Sequence, residues 1–587
     1  MKAPATDNIH KRHQAVIFRG KASLLQLKRG VENLFDARLK RYSFSDKLKK
    51  ASVIAESKTP LWTESAPEEQ FLLAGKVHNL RLAVKKLNNL EIPAGEVFSF
   101  WKQIGQANRG RGFVVGRELR EGCIIPNIGG GLCQLSNALY DAALQANFEI
   151  IERHAHTKVI PGSLAEQGRD ATVFWNYIDL RFRSPNAFRI EAFLGKDHLT
   201  VRFKSDTKQK NFIQISKFKT QNSNAPQSCA TCGVESCFRS LKPETNLDFG
   251  KTAFLVDEFS PELDEYIQKI RSKKDLLFLP LDGKRFRKAN YAWSSEGFSK
   301  IKQSLFVTAV RSYKSRKLAA QGATRQKNLL AMYEKLAESY AENLPFDATH
   351  LVVQQNLLPF LWKNGALGGR TFDVLMTSLP MREIQKRLDF AFSLHPESKT
   401  LADFRADEDL IEAENESLQM ARKIITPHAE IARLFPGKAE LLDWKMPPAK
   451  KIVKSRNEKF TIVFPASTVG RKGCYELREA IRGLEVKLIL LGAEIEGENF
   501  WRDFDVEKGG DDWLVKADLV VLPAFVEHKP RRLLQAVANK IPVIASEACG
   551  IGNIGETKMI KAGDAVALRE SIAEFLIKTQ TPEAVKL

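Results

Sequence analysis

Nine short apolar runs, separated by stretches with helical spacing, dominate the second half of the chain. Continuous apolar strands that alternate with amphipathic helices are typical of a parallel sheet covered by helices on both faces. We therefore predict two such sheets, separated near residues 435–455. The predicted strands are Thr252–Val256, Asp275–Leu279, Thr349–Val353, Asp373–Met376, Lys423–Thr426, Lys459–Phe464, Val486–Leu491, Leu519–Pro523 and Pro542–Ser546.

The composition is that of a folded protein with several domains. The 587 residues are 43% hydrophobic and 27% charged, which excludes a wholly disordered chain. The first residues lack the apolar core of a signal peptide, and no window approaches the ~18 uncharged apolar residues of a membrane-spanning helix. Seven cysteines form an odd set that favours a reducing compartment over a disulfide framework. We therefore expect a cytoplasmic protein.

Changes in composition and in predicted secondary structure divide the chain into five segments. Residues 1–65 are basic and predicted to be largely helical, and residues 66–205 mix helices and short strands as an α+β domain does. Residues 206–250 form a polar, cysteine-containing linker or a small metal knot. Residues 251–440 and 441–587 are predicted to be two doubly wound, Rossmann-like α/β domains.

A glycine-rich loop leads directly into a predicted helix in the α+β domain. Gly129, Gly130 and Gly131 permit a tight turn and a close approach to another group. Cys133 then falls in the first turn of the helix, where free N–H groups and the helix dipole favour a thiolate. This position predicts a reactive thiol.

Two histidines and two carboxylates downstream supply partners for that thiol. His154 and His156 lie in an alternating segment, which would place both on one face. Asp170 and Asp179 could orient an imidazole. Thiol, imidazole and carboxylate are the components of nucleophilic catalysis. A small core cysteine with structural histidines is the alternative, and a metal bound by Cys133 with a histidine is less favoured because no tight ligand pair brackets the thiol.

Six co-ordered motifs in this region resemble the VanW family, named from glycopeptide-antibiotic (vancomycin) resistance clusters of bacteria and tied to the cell envelope. The motifs are Asn79 to Asn88, Pro93 to Phe100, Gly129 to Ser136, Arg153 to His156, Gly168 to Val173 and Asp179 to Phe182. The resemblance implies a site without naming a reaction. Its catalytic candidates are Cys133, His154, His156 and Asp170, and its binding candidates are Gly129, Gly130, Gly131 and Gln134.

Three clustered cysteines mark the linker. Cys229 and Cys232 are spaced as a CxxC pair, and Cys237 follows after four residues. Three thiols in a reducing compartment indicate a zinc site or an iron–sulfur centre. A fourth ligand would have to come from a distant segment, so free thiols in a solvated linker are an equal alternative.

A strand-to-helix turn in the last segment has Arg471 and Lys472 at its mouth, a pattern suited to diphosphate binding. Together with Glu527, which precedes another predicted helix, it resembles the donor-binding half of GT-B glycosyltransferases, especially retaining enzymes of glycosyltransferase family 4. The resemblance implies that Lys472 holds the diphosphate of a nucleotide-sugar and that Glu527 acts on the donor sugar.

Two positions depart from that family pattern. Gln535 stands where the family has its second glutamate, and Ser467 stands where it has an arginine. A glutamine still hydrogen-bonds a ribose hydroxyl. Arg471 beside Lys472 is a candidate to replace the missing charge on phosphate. Both an active transferase and an inactive donor-binding fold remain open.

Three functions follow from these patterns. The first is sugar transfer from a nucleotide-sugar to an envelope-related acceptor, including a lipid-linked one. The second is a Cys133-dependent hydrolase or acyl transferase acting on a cell-wall precursor. The third is a non-catalytic binding protein linked to antibiotic resistance or envelope maintenance.

The positive charge is concentrated in two stretches. The chain has a formal net charge of +20, and residues 1–50 and 300–335 contribute most of it. In the second stretch Phe306, Val310 and Tyr313 are interleaved with Lys and Arg as on an amphipathic helix. That pattern favours an anionic lipid surface at the inner membrane face. No nucleic-acid motif accompanies it, so nucleic acid is disfavoured as a partner.

Overall fold

The computed structural model describes residues 12–62, 69–120, 123–156, 163–206, 227–228, 249–318, 322–450 and 457–580. The chain divides into two compact units. The first comprises Met1–Thr252, Leu344–His350 and Asn364–Thr371, and the second comprises Ala253–Asn343, Leu351–Lys363 and Phe372–Leu587. The predicted metal ligands Cys229, Cys232 and Cys237 lie outside the described residues.

The first unit is an α+β structure built on small antiparallel sheets. Its helices are α1 (Arg12–Phe35), α2 (Gln70–Val84), α3 (Phe100–Ile104) and α4 (Leu132–Gln145). Its strands are β1 (Ser52–Pro60), β2 (Leu90–Ile92), β3 (Val97–Ser99), β4 (Val115–Arg120), β5 (Cys123–Ile128), β6 (Glu149–Glu152), β7 (Arg181–Arg183), β8 (Phe188–Leu194), β9 (His198–Ser205) and β10 (Gln227–Ser228). The sheet orders are β1-β9-β8-β2, β3-β7-β6 and β10-β5-β4.

The core of this unit lies between α2, α4 and the four-stranded sheet. Alternating residues of β8 and β9 point inward, as period two requires. Phe148, Phe182, Phe188 and Phe203 form one aromatic cluster with ring centroids 4.7 to 6.1 Å apart. These large rings supply much of the apolar area that stabilises the unit.

The prediction of a largely helical N-terminal segment is right for α1 and wrong for β1. This strand pairs antiparallel with β9, with Glu56 opposite Arg202 and Thr59 opposite Leu199. Its inward positions are Ala55, Ser57 and Thr59. These side chains are small or polar, so the strand carries almost no hydrophobic signal.

The second unit contains the two predicted parallel sheets. Its helices are α5 (Pro261–Ile270), α6 (Leu305–Arg316), α7 (Ala323–Asn343), α8 (Leu358–Lys363), α9 (Met381–Leu394), α10 (Glu408–Met420), α11 (Ala429–Leu434), α12 (Cys474–Ala480), α13 (Trp513–Lys516), α14 (Arg531–Ala538) and α15 (Ala565–Gln580). The strands of the first sheet are β11 (Lys251–Leu255), β12 (Leu276–Leu279), β13 (Lys300–Gln303), β14 (Ala348–Gln354), β15 (Thr371–Leu375), β16 (Ile424–Thr426) and β17 (Ala439–Leu441). Those of the second are β18 (Phe460–Phe464), β19 (Val486–Leu490), β20 (Val506–Lys508), β21 (Leu519–Leu522), β22 (Val543–Ser546) and β23 (Thr557–Ile560).

Both sheets have the doubly wound strand order. The first runs β13-β12-β11-β14-β15-β16-β17 and the second runs β20-β19-β18-β21-β22-β23. In each, the order reverses beside the first strand, and the crevice at the carboxyl ends of the strands at that point is where such folds bind ligands. The predicted fold class, an α+β domain followed by two Rossmann-like domains, is confirmed.

The buried side chain of Asn79 holds the first unit together where α2 meets the glycine-rich loop. Its amide nitrogen donates to Val114 O and Gly130 O at 3.0 Å, and its amide oxygen accepts from Val114 N at 2.9 Å.

Asn79→Ala removes three hydrogen bonds and leaves buried backbone groups unpaired. We expect it to lower the free energy of unfolding by about 3 kcal/mol, measured by urea denaturation, whereas Asn186→Ala at an exposed turn should change it little. Equal stability of the two variants would contradict this role.

Candidate functional site

The first unit brings Cys133, His156 and Asp170 together. Cys133 is the second residue of α4, as its position after the glycines predicts. His156 Nδ1 lies 2.7 Å from Asp170 Oδ1, and the His156 backbone N–H donates to the other carboxylate oxygen. The Cys133 sulfur interacts with the same imidazole and lies 3.9 Å from Thr172 Oγ1. The imidazole therefore stands between a thiol and a buried carboxylate.

Electrostatics favour a charged imidazole at this site. Burial alone would lower the pKa of His156. Hydrogen bonds and charge from Asp170 and Cys133 raise this pKa by more than burial lowers it, so that it reaches about 10. At neutral pH His156 is therefore an imidazolium. The site thus joins a thiol, a cationic imidazole and a carboxylate, which are the components of a nucleophilic cysteine site.

His154 is not part of this cluster, although period two would have placed it beside His156. Residues 153–156 are irregular rather than strand, and the His154 side chain is 55% exposed, 4.0 Å from Glu152 Oε1. Asp179 is also elsewhere. It accepts from Ser99 Oγ at 2.6 Å and from Trp101 N at 3.1 Å, so it fixes the start of α3 instead of orienting an imidazole.

The glycines and Gln134 are occupied by contacts within the unit. A Cβ on Gly130 would lie 2.5 Å from the backbone of Gly116, and one on Gly131, whose φ is +101°, would lie 2.1 Å from Lys76 Cγ. The group that the glycines approach closely is therefore the protein itself. Gln134 Nε2 donates to Thr59 Oγ1 at 2.9 Å and to Pro60 O at 2.8 Å, which fastens α4 to β1. A role for these four residues in binding stays a prediction.

The second unit carries a buried group of charges at the carboxyl ends of β18 and β21. Lys472 Nζ donates to Glu527 Oε2 at 2.8 Å and to Val526 O at 3.0 Å. Glu527 Oε1 also accepts from His528 N and Lys529 N at 2.8 and 2.9 Å. The Arg471 carbonyl accepts from Phe525 N at 3.0 Å. The turn before α12 and the turn before α14 thus meet at one place.

Burial and pairing shift the pKa values of this group. Burial alone would raise the pKa of Glu527. The charge and hydrogen bond of Lys472 lower this pKa by more than burial raises it, so that it falls to about 2. Burial lowers the pKa of Lys472, which Glu527 partly offsets, and burial lowers that of Arg471. Burial and the charge of Lys472 also keep His528 neutral at pH 7, and its buried Nδ1 has no hydrogen-bond partner among the described residues.

A histidine from the first Rossmann-like domain completes the wall of this cleft. His428 is fully buried at the start of α11, and its Nε2 lies 3.1 Å from Glu527 O. A Cβ on Gly550 would lie 2.1 Å from the His428 ring, so only glycine fits there. Burial lowers the pKa of His428. The two domains of this unit therefore meet at the Glu527 turn.

Gln535 and Ser467 occupy the positions of the two family departures. Gln535 is half-buried on α14, eight residues after Glu527, and Ser467 is half-buried in the turn after β18. Arg532 reaches the same turn, where its Nη1 donates to Pro465 O at 2.8 Å and to Leu491 O at 3.0 Å. A guanidinium is therefore present next to the serine, on a neighbouring helix.

Sequence reasoning missed two further groups. Glu496 accepts from Gly470 N at 2.7 Å and from Tyr475 Oη at 3.0 Å, and so holds the turn that carries Lys472. It is one of several acids in its loop, and nothing in the sequence singles it out. Asp257, fully buried, accepts from Arg311 Nη1 at 2.7 and 2.9 Å. Asp257 follows a predicted strand, so the rule that ligands bind at strand ends could have found it.

Metal binding receives no support from the described parts of the chain. Among those residues no group of three or more His, Cys, Asp and Glu side chains could hold a metal ion. None of the described cysteines, Cys123, Cys133, Cys474 and Cys549, forms a disulfide. The predicted zinc or iron–sulfur site at Cys229, Cys232 and Cys237 lies outside this region and stays a prediction.

The molecule thus joins an α+β domain with a Cys-His-Asp cluster to a pair of Rossmann-like domains with a cationic cleft. Residues 75–204 match the family model described as VanW like protein. The predicted VanW resemblance of this part of the chain is confirmed.

Three curated relatives share parts of the sequence. The uncharacterized protein YoaR of Bacillus subtilis is 31% identical over 144 residues, 24% of this chain and 46% of YoaR. The vancomycin B-type resistance protein VanW of Enterococcus faecalis is 33% identical over 135 residues, 22% of this chain and 49% of its own length. TuaC of Bacillus subtilis, a putative teichuronic acid biosynthesis glycosyltransferase, is 29% identical over 124 residues, 19% of this chain and 32% of TuaC. The chain spans about half the length of these relatives, or less.

Solved structures also resemble part of the chain. Sucrose-phosphate synthase from Thermosynechococcus elongatus matches 56% of this chain and 90% of its own, with 15% identity and a TM-score of 0.35. Anabaena HepE, solved in complex with UDP and glucose, matches 56% and 91%, with 14% identity and a TM-score of 0.34.

Proposed function

We propose that the second unit is a GT-B glycosyltransferase that transfers a sugar from a nucleotide-sugar to a cell-envelope-related acceptor. The buried Lys472–Glu527 pair carries the proposal, because it lies at the carboxyl ends of the central strands of a doubly wound sheet. Similarity to TuaC supports the reaction class. The family 4 resemblance favours retention of configuration at the transferred sugar.

Each residue of the cleft has a role in this proposal. Lys472 and Arg471 bind the diphosphate. Glu527 hydrogen-bonds hydroxyls of the donor sugar, and Gln535 hydrogen-bonds the ribose. Arg532 supplies the guanidinium that the family has at position 467, since it already reaches the turn after β18.

Donor binding provides the test. We expect UDP or GDP to bind the full chain and Lys472→Ala to bind it at least about tenfold more weakly, because a charge-assisted hydrogen bond contributes about 1.5–3 kcal/mol. Isothermal titration calorimetry measures both. The control is Lys558→Ala, which removes an exposed lysine paired with Glu574 in the same domain. If neither nucleotide binds, or if both variants bind equally, the proposal fails.

The acceptor is proposed to be held at a membrane surface, with α1 and α6 as the docking elements. The face of α1 that contacts the domain is polar, since Gln26 Nε2 donates to Trp175 O at 2.9 Å. Its outward face is apolar: Leu24, Leu27 and Leu34 are 70%, 69% and 79% exposed. No helix within the described residues is long and apolar enough to cross a bilayer.

The helix α6 likewise contacts its domain through a polar side chain and exposes apolar side chains to solvent. Arg311 points inward to Asp257, while Phe306 and Tyr313 are exposed beside Lys314 and Lys317 on the solvent side. Apolar side chains flanked by lysines suit an anionic lipid interface. This geometry supports a lipid-linked, phosphate-bearing acceptor.

Vesicle binding tests the docking role of α1. We expect the full chain to sediment with vesicles containing about one-third phosphatidylglycerol, since both apolar insertion and lysine attraction contribute. Leu27→Ser with Leu34→Ser should abolish sedimentation. Val566→Ser with Ile577→Ser, on the exposed face of α15, is the matched control and should not. Sedimentation of both double variants alike, or dimerisation through α1 seen by light scattering, would contradict lipid docking.

We infer a second activity, thiol chemistry at Cys133, from the Cys133–His156–Asp170 cluster. Cys133 is the nucleophile toward an amide or ester carbonyl such as that of a cell-wall precursor, His156 transfers the proton to the leaving group, and Asp170 orients the imidazole. The contacts of Asp170 with both the ring and the backbone of His156 support this assignment. If the protein has neither activity, it is a non-catalytic binding protein that uses both sites for recognition.

Alkylation tests the cluster. At pH 6 we expect iodoacetamide to label Cys133 at least about tenfold faster in the wild type than in His156→Gln, because the glutamine removes the cationic imidazole beside the attacking sulfur. Asp170→Asn should lie between the two. Peptide mass spectrometry measures the labelling, and buried Cys123 is the internal control. A Cys133 that reacts no faster than Cys123 in the wild type means a structural thiol.

A further inference from the structure

A basic groove lies in the first unit, apart from the Cys133 cluster. It has a volume of about 430 Å³ and is lined by four cationic side chains, Arg41, Lys85, Lys86 and Arg111. Tyr42 and Phe44 lie on its wall. Among the described residues, none of the side chains that line the groove is acidic.

Backbone carbonyls hold three of the cations in place. Arg41 Nε donates to Lys102 O at 3.2 Å, Lys86 Nζ to Ile104 O at 3.1 Å, and Arg111 Nη1 to Gln106 O at 3.3 Å. Gly105 makes room for the guanidinium, because a Cβ there would lie 2.0 Å from Arg111 Nη1. The cations are therefore positioned by α3 and the loop after it.

The charges of the groove are not balanced within the described part of the chain. None of the four cations forms an ion pair with a carboxylate there, although many arginines and lysines of this unit do, such as Arg189 with Glu91. Burial lowers the pKa of Lys86, and the charges of Arg111 and Arg41 lower it further. Such repulsion is unfavourable, and an anion in the groove would remove it.

We propose that this groove binds the phosphate or diphosphate group of a ligand whose ester-linked part lies against Tyr42 and Phe44. Phosphate suits the four cations because its oxygens accept several charge-assisted hydrogen bonds at once. Phe44 is 61% exposed, and an apolar or ring-bearing part of the ligand would cover it. The site is independent of the donor cleft and of Cys133.

Calorimetry on the full chain with inorganic pyrophosphate and with geranyl diphosphate tests the proposal. All samples carry Lys472→Ala, so that the donor cleft contributes little. We expect Lys86→Gln with Arg111→Gln to weaken binding at least about tenfold, since two charge-assisted contacts are lost. Lys58→Gln, an exposed lysine of β1, is the control and should bind normally. Thermal unfolding should be unchanged or raised in the double variant, because like charges have been removed.

Lysine acetylation read by mass spectrometry locates the ligand. Bound ligand should protect Lys85 and Lys86 at least about threefold relative to Lys58. Tighter binding of geranyl diphosphate than of pyrophosphate assigns the groove to a lipid-linked diphosphate, and equal binding assigns it to a free polyphosphate. Each of these results supports the site. Equal affinities of the double variant and its control, or no protection of Lys85 and Lys86, overturns it.

Discussion

The cost of burying a carboxylate organises both units of this protein. An ionised acid can leave water only if cations or N–H groups satisfy its oxygens. Asp170, Asp179 and Asp257 are 2%, 5% and 0% exposed, and each is satisfied by groups from a different segment of the chain. Each buried acid therefore fixes another segment of the chain: Asp170 holds the His156 segment, Asp179 the start of α3, and Asp257 the inner face of α6.

The same constraint shapes the cleft of the second unit. Glu527 binds Lys472 and two backbone N–H groups, while Glu496 binds the N–H of Gly470. One acid thus sets the position of the lysine head, and the other sets the turn from which the lysine projects. Removing Glu527 would leave the buried charge of Lys472 without its carboxylate, which costs more than the pair itself contributes.

The strands that the sequence predicts are those at the centres of the sheets. All nine predicted strands are present in the second unit, whereas β13, β17, β20 and β23 were missed. These four are the outer strands of the two sheets. An outer strand has one free edge and carries lysines and glutamates that discourage pairing with other chains, so its apolar signal is weak. Hydrophobic patterning thus detects strands covered on both faces and on both edges.

The features of the candidate sites that depend on residue type and on position within a helix or turn could be predicted from the sequence. Cys133 in a helix first turn and Lys472 at a strand-to-helix turn follow from sequence alone. The choice between His154 and His156 does not, because it depends on the irregular backbone at 153–156 and on Asp170, fourteen residues further on. The same holds for Gly130 and Gly131 before Cys133, whose neighbours come from β4 and α2. The type of each residue can be read from the sequence, but which side chain it pairs with is determined by the tertiary structure.

The placement of net charge follows from these pairings. Because interior acids take cations as partners, part of the excess of +20 lies at places on the surface where the described cations form no ion pair. Such places include the solvent side of α6 and the groove at Arg41 and Arg111. Unpaired charge near a surface acts over about a Debye length of 8–10 Å, far enough to attract an anionic ligand before contact. The surface sites that interior pairing leaves unbalanced are therefore those for which we propose phosphate-bearing partners.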